Sequence, residues 1–289
     1  MEEELRPAEV SALINLLEDN ENEVWNAVAD KIMDFGPVIV PSLEKAWEIS
    51  LNVKFQERLE NIIQEIQFRY VCQELRNWDL MGGSDLFKGA CIIAKFQYPE
   101  LNSDKLLESI KQIKDNIWID LNDNLTALEK VKVLNHILYT TNKFSGNFSN
   151  YYSPQNYYIN QVLETRKGNP VSLGIVYITL ARMLDLPVYG INLPKNFILA
   201  YTDVFANDSK DNILFYINPY NKGAVLGKRE IDYFLNQQKI EPIDTYYNPC
   251  TNFDIIERLI FNLVNSYESL GQQEKVEKFQ KLLGIIQKK

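Results

Sequence analysis

The chain has 289 residues, 30 Lys and Arg against 39 Asp and Glu for a formal net charge of −9, three cysteines and one histidine. One histidine excludes multi-histidine metal sites and leaves His136 as the sole imidazole available as a base at neutral pH. Hydrophobic residues at 46% and charged residues at 24% are those of a packed globular protein, while the acidic balance disfavours nucleic acid and the widely spaced Cys72, Cys91 and Cys250 fit neither a disulfide framework nor a zinc site.

Residues 1–4, Met-Glu-Glu-Glu, are acidic where a secretory leader is basic. No apolar run approaches the roughly 20 residues of a membrane span. A cytoplasmic chain with no membrane partner, no metal and no cofactor is the expectation. From residue 7 to about 68 the apolar positions recur at helical spacing: Val10, Leu13, Ile14, Leu16 and Leu17, then Val24, Trp25, Val28 and Ile32, then residues 38–43 with Trp47, then Phe55, Leu59, Ile62, Ile63 and Ile66. Asp19-Asn20 and Gly36-Pro37 break the series into short antiparallel helices. Residues 12–47 resemble one HEAT-type repeat, although an array normally needs about three units to bury its own core. An ordinary helical appendage reads equally well. Residues 1–69 are assigned to this segment.

Residues 70–143 also read as helices, with loops at Gly82-Gly83, Pro99 and residues 122–124. On the helix from about 127 to 141, Leu128, Val131, Leu134, Ile137 and Leu138 form the apolar stripe. Glu129, Lys132, His136 and Thr140 share the opposite side, which makes His136 a solvated surface residue. A long loop follows, marked by Gly146, Asn147, Pro154 and Asn156, in which Tyr151, Tyr152, Tyr157 and Tyr158 crowd together as either packing or a recognition surface. Residues 172–181 are apolar on nearly all sides and read as a buried helix, with Asn169 as N-cap, Pro170 at the first helical position and Ser172 in the first turn. Arg166 and Lys167 stand just before it, either to hold an anion at the helix start or simply solvated. Short β-type runs at 188–191, 197–201 and 214–217 are separated by Pro194 and the polar stretch 207–212, and closed by Pro219 and Gly223. The last 40 or so residues are helical again, with Ile255, Ile256, Leu259, Leu263 and Tyr267 facing Val276, Phe279, Leu282 and Leu283 across Gly271.

A buried helix with a small nucleophile-type residue in its first turn, followed by strands, is the geometry of papain-like and transglutaminase-like thiol enzymes. There a helix-start Cys is paired with a His base oriented by Asp or Asn. The fold class expected is α+β and predominantly helical: a papain/transglutaminase-like core of buried helix against a small antiparallel sheet, flanked by helical segments. The order Gly146-Asn147, Asn156, Arg166, Gly168, Pro170, Ser172-Leu173, Pro194 with Phe197, and Pro219 with Gly223 resembles the SirB-type transglutaminase-like family, whose core is also found in some F-box proteins. The likeness runs from about residue 80 to 283. It implies a core over 70–240 with a helical lead-in, and a tetratricopeptide-like hairpin over 241–289.

The resemblance places the family's Cys at Ser172, its His at Asn196 and its Asp at Asn218. An amide accepts no proton at neutral pH, and a general base typically supplies about 10²- to 10⁴-fold, so no catalytic residue is expected. Ser172, Asn196 and Asn218 mark vestigial triad positions. Asn196 and Asn218 could hydrogen-bond one another to hold their strands. The candidate ligand cleft comprises Tyr151, Asn156, Tyr157, Arg166, Ser172, Asn196 and Asn218. The first reading is a non-catalytic interaction or scaffold protein whose partner is another protein or a peptide. Its rival is a hydrolase or acyl transferase that uses Ser172 with an unrecognised base.

Overall fold

The computed structural model describes residues 7–17, 22–203 and 212–287. Residues 1–4, the break at Asp19-Asn20 and most of the polar stretch 207–212 lie outside the described residues. The chain divides into two units, Met1–Glu74 and Leu75–Lys289.

The first unit holds α1 (Pro7–Leu16), α2 (Asn22–Asp34), a 3₁₀ turn at Gly36–Ile39, α3 (Val40–Ile49) and the first part of α4 (Val53–Leu80). Residue 70, where the sequence reading starts the core, falls inside α4. Apolar positions three or four residues apart converge on one cluster: Leu13 and Leu17, Val28 and Ile32, Leu43, and Leu59, Ile62 and Ile66 are buried together. Gly36 opens the 3₁₀ turn after α2 at φ +66°, a left-handed conformation free of Cβ strain, and Pro37 takes the turn's second position. Leu16 and Val38, read as apolar-face residues, are exposed.

In the second unit the helices expected before residue 143 are the end of α4, α5 (Leu86–Lys95), α6 (Ser103–Asp120) and α7 (Ala127–Asn135), which passes into a π turn at His136–Thr141. Side chains satisfy the open N–H groups of their first turns: Asp85 accepts from Lys88 N–H at 2.9 Å, Asn102 from Lys105 N–H at 3.0 Å, and Thr126 closes a capping box with Glu129. Then come β1 (Ser145–Gly146), α8 (Ile159–Thr165), β2 (Lys167–Gly168) and α9 (Pro170–Met183). β3 (Val188–Ile191), β4 (Ile198–Thr202), β5 (Ile213–Asn218) and β6 (Ala224–Leu226) follow, and α10 (Lys228–Gln237), α11 (Asn252–Ser269) and α12 (Gln273–Ile286) complete the chain's elements.

α9 is buried continuously from Pro170 to Ala181, as its nearly unbroken apolar run requires, with α5, α6, α8, α11, β3 and β4 packed around it. The sheet runs β3-β4-β5-β6, antiparallel throughout, with Gly190 opposite Leu199, Leu199 opposite Ile217 and Ile217 opposite Val225. A separate two-residue parallel ladder sets Gly146 beside Gly168. The chain is thus α+β and predominantly helical. Two elements go beyond the sequence reading. The segment at Pro219 and Gly223, read as the end of the sheet, turns back into β6: Asn218 Oδ1 accepts from the N–H groups of Tyr220 and Asn221, each at 3.1 Å, and Gly223 stands at φ +71°. Residues 228–237 form α10, whose Ile231 and Leu235 are buried against the sheet. At the C-terminus α11 and α12 pair across Gly271, where Phe279 packs on Tyr267 at 5.7 Å and on Phe96 at 4.5 Å between ring centroids.

Candidate functional site

Asn169-Pro170 starts α9 with a reciprocal cap. Asn169 Oδ1 accepts from Ser172 N–H at 2.7 Å, and Ser172 Oγ accepts from Asn169 N–H at 3.0 Å. The Ser172 hydroxyl then donates to the Asn156 carbonyl at 2.6 Å. Asn156 is fixed in its turn: its Nδ2 donates to the carbonyls of Asn150 and Tyr151 at 2.6 and 3.0 Å, and its Oδ1 accepts from Asn147 Nδ2 at 2.8 Å. Ser172 has no exposed surface and Asn156 retains 3%. Gly168 closes the network from the other side, since a Cβ there would lie 2.6 Å from Ser172 Oγ. The expected nucleophile position is therefore a sealed capping residue with its one proton committed to a carbonyl, and a carbonyl is no base.

Asn196 is held at a mouth nearby. The Phe197 ring fills a slot between α9 and β3, where a Cβ on Gly174 or Gly190 would come within 2.6 or 2.7 Å of it. That anchor fixes Asn196, whose Oδ1 accepts from Phe197 N–H at 2.9 Å. Asn218 Oδ1 is taken up by the Tyr220 and Asn221 amides of the β5–β6 turn. The Asn196–Asn218 hydrogen bond raised by the sequence reading does not form; the two carbonyl oxygens accept instead from local backbone N–H groups.

Beside the start of α9 lies a cleft of about 300 Å³. Of the seven cleft residues named from sequence, Tyr151, Tyr157 and Asn196 line it. Asn156 and Ser172 belong to the closed network beneath, and Asn218 belongs to the β5–β6 turn. Arg166 is turned elsewhere: it caps α8 at φ +58° and its guanidinium lies 4.8 Å from the Phe144 ring centroid, where burial lowers its pKa. Its neighbour Lys167 is exposed in β2, and His136 is exposed where α7 meets the π turn. The tyrosine loop divides between its two readings. Tyr157 and Tyr158 are buried, Tyr158 in a hydroxyl–hydroxyl bond with Tyr267 at 2.8 Å, whereas Tyr152 is 71% exposed and packs edge-on against Tyr151.

The far wall of the cleft was not read from sequence. Arg258, Asn262, Asn265 and Ser266 supply it from α11, and Lys195 and Asn169 join the near wall. Positions 258, 262 and 265 follow i, i+4, i+7 spacing, so a polar stripe opposite the apolar face of α11 was the available signal. Arg258 Nη1 donates to Asn192 Oδ1 at 3.0 Å, while its Nε is buried without a partner. Burial lowers the Arg258 pKa, against the nearby Tyr151 and Tyr157 hydroxyls, which raise it. Burial likewise pushes Tyr157 up to about 12, partly offset by the Asn169 side chain and by Arg258.

A family model of the transglutaminase-like superfamily matches residues 104–261, a span that contains the capping network and most of the cleft. F-box only protein 21 of Mus musculus is 31% identical over 151 residues, covering 52% of this chain and 23% of that protein. The UPF0162 protein of Xylella fastidiosa (strain 9a5c) is 25% identical over 201 residues, covering 66% of this chain and 67% of its own length, and that of Vibrio cholerae is 27% identical over 151 residues, covering 52% and 53%. The chain thus spans under a quarter of the F-box relative and about half to two thirds of the others. No solved structure matches. With more than half its length matched, across the buried helix and the sheet that follows it, the chain belongs to the transglutaminase-like superfamily.

Proposed function

We propose that this chain is a non-catalytic interaction or scaffold protein built on a degenerate, SirB-type transglutaminase-like core. The observation that carries the proposal is the Ser172 hydroxyl: fully buried, bonded to Asn169 N–H and donating to the Asn156 carbonyl. A nucleophilic hydroxyl needs an adjacent base and an approach for substrate, and Ser172 has neither. The positions that would supply base and orienter bear the amides of Asn196 and Asn218, and the one imidazole, His136, faces solvent at the start of the π turn after α7.

The flanks belong to the same reading. The helices of the first unit are HEAT-like and α11–α12 is a tetratricopeptide-like hairpin, both element types that mainly bind proteins or peptides. The partner is another protein or a peptide, and the setting is cytoplasmic, with Cys91 and Cys250 outside any disulfide. Among the described residues no helix is long and apolar enough to cross a membrane.

Two measurements test this. A fluorophosphonate probe leaves the folded wild type unlabelled; labelling that disappears in folded Ser172→Ala would establish Ser172 as a nucleophile and overturn the proposal. Affinity capture from native cytosol returns a stoichiometric partner, and recovery of none across several growth states counts against an interaction role.

A further inference from the structure

The cleft beside α9 differs in charge from the rest of the chain. The protein carries a net charge of −9, yet the cleft is lined by two cations, Lys195 and Arg258, and by no Asp or Glu. Its polar lining is dominated by amide and hydroxyl groups, and two buried donors on lining residues have no partner. Asn169 is only 2% exposed; its Oδ1 is consumed by the cap, and its Nδ2 reaches toward the Tyr157 hydroxyl without closing a hydrogen bond of good geometry. Arg258 spends one nitrogen on the neutral Asn192 and keeps Nε without a partner, and it makes no ion pair among the described residues. A buried donor left unpaired costs about 1–3 kcal/mol, so two such donors on residues that line one cleft, one of them on a half-buried guanidinium, mark a place suited to an acceptor. The start of α9 adds the positive end of a 14-residue helix to the same wall.

We propose that this cleft binds a carboxylate presented by a peptide segment of a partner protein, held between Arg258 and Asn169. The inference rests on the non-catalytic reading, because it makes the former reaction cleft a holding site. A planar carboxylate matches the fork of an arginine and a neighbouring amide better than a point acceptor does. A peptide supplies the remainder of the fit: the rings of Tyr151 and Tyr157 give an apolar wall, Asn196, Asn262 and Asn265 offer partners for peptide groups, and about 300 Å³ accommodates one or two residues. Both a chain-terminal carboxylate and an Asp or Glu side chain carry this chemistry.

The test is an array of immobilised hexapeptides, random but free of Asp and Glu, read with the full-length protein in four forms: free C-terminus, amidated C-terminus, amidated with one internal Glu, and amidated with Gln in place of that Glu. Peptides with a carboxylate are retained about tenfold better than their neutral amide or Gln counterparts, the worth of one charge-assisted hydrogen bond. Preference for the free terminus or for the internal Glu identifies the source. Asn169→Asp keeps the cap acceptor for Ser172 N–H but replaces the Nδ2 donor with an oxygen, so it loses this retention at least about tenfold, with its melting temperature measured alongside. Arg258→Gln loses it similarly. Equal retention of acid and amide forms, no retention, or an undiminished Asn169→Asp variant that melts like wild type overturns the inference and leaves the non-catalytic reading standing. Cleavage or acylation of the retained peptides would instead remove that reading.

Discussion

The sealed cap makes Ser172→Ala the most informative single substitution. The Oγ it removes accepts one buried N–H and donates to one buried carbonyl, those of Asn169 and Asn156, in a place with no solvent to replace it. Each orphaned buried group costs about 1–3 kcal/mol, which sets an upper range for the pair. The two orphans partly satisfy one another, since Asn169 N–H already lies 3.3 Å from the Asn156 carbonyl. The net loss is therefore about 2 kcal/mol, and for a unit the size of Leu75–Lys289, where each kcal/mol shifts melting by about 2–4 °C, the expected fall is about 4–8 °C. Calorimetry of the full chain at neutral pH reads this directly, with urea unfolding as a second measure of the midpoint. A serine kept for chemistry behaves in the opposite way, because catalytic groups are commonly held at a cost in stability that truncation relieves. A melting temperature that is unchanged or raised in Ser172→Ala would refute the capping account, and with it the main argument against catalysis.

Gly223→Ala is expected to lose about 2–4 kcal/mol in urea unfolding, because the alanine must hold φ +71° while its Cβ meets the Asn135 amide that itself donates to the Gly223 carbonyl. Burial raises the Cys91 and Cys250 thiols from 9.0 to about 12, so above pH 9 the unfolded chain releases protons that the folded chain retains, and stability falls as pH rises from about 9 to 12, by up to about 1.4 kcal/mol per pH unit per thiol. Urea midpoints at pH 8 and pH 10 check the sign, and Cys91→Ala flattens the slope. His136→Ala changes stability by less than about 0.5 kcal/mol in the same assay, since the ring faces solvent. The double change Asn196→His, Asn218→Asp installs an imidazole and a carboxylate at the positions read from sequence as vestigial yet yields no esterase or amidase activity, because the hydroxyl it would activate stays buried and bonded to Asn156; measurable turnover lost again on Ser172→Ala would contradict this.

Much of the fold is legible because its signals are local. The buried stretch of α9 follows from an apolar run with Asn169-Pro170 ahead of it, and the caps at Asp85, Asn102 and Thr126 each place a side-chain acceptor three residues before an open N–H. β6 was less legible. It is three residues long and its central Val225 is 41% exposed, so no alternation identifies it; it forms because the turn at Asn218 and Gly223 delivers it to β5. α10 has the periodic Ile231 and Leu235, but what they pack on is the sheet, whose position only the tertiary structure supplies.

The site divides along the same line. That Ser172 sits in the first turn of α9 is readable from Asn-Pro alone; that its proton goes to Asn156 is not, because the loop bearing Asn156 is brought there by the Gly146–Gly168 ladder and by the Asn147 amide. The triad positions invite a question about missing bases, and the answer given by the structure concerns access as much as basicity. Asn169 shows why. Its sequence context specifies one half of the amide, the oxygen that caps α9, and says nothing of the nitrogen, whose role depends on which residues of α11 are folded across from it. Arg258 is brought there by the packing of α11 against α9 and α5, a contact between segments far apart in the chain. A capping asparagine costs little to replace with aspartate or serine as far as the helix is concerned, so a partnerless Nδ2 in the wall of a cleft that Arg258 also lines is a feature that helix stability alone does not require.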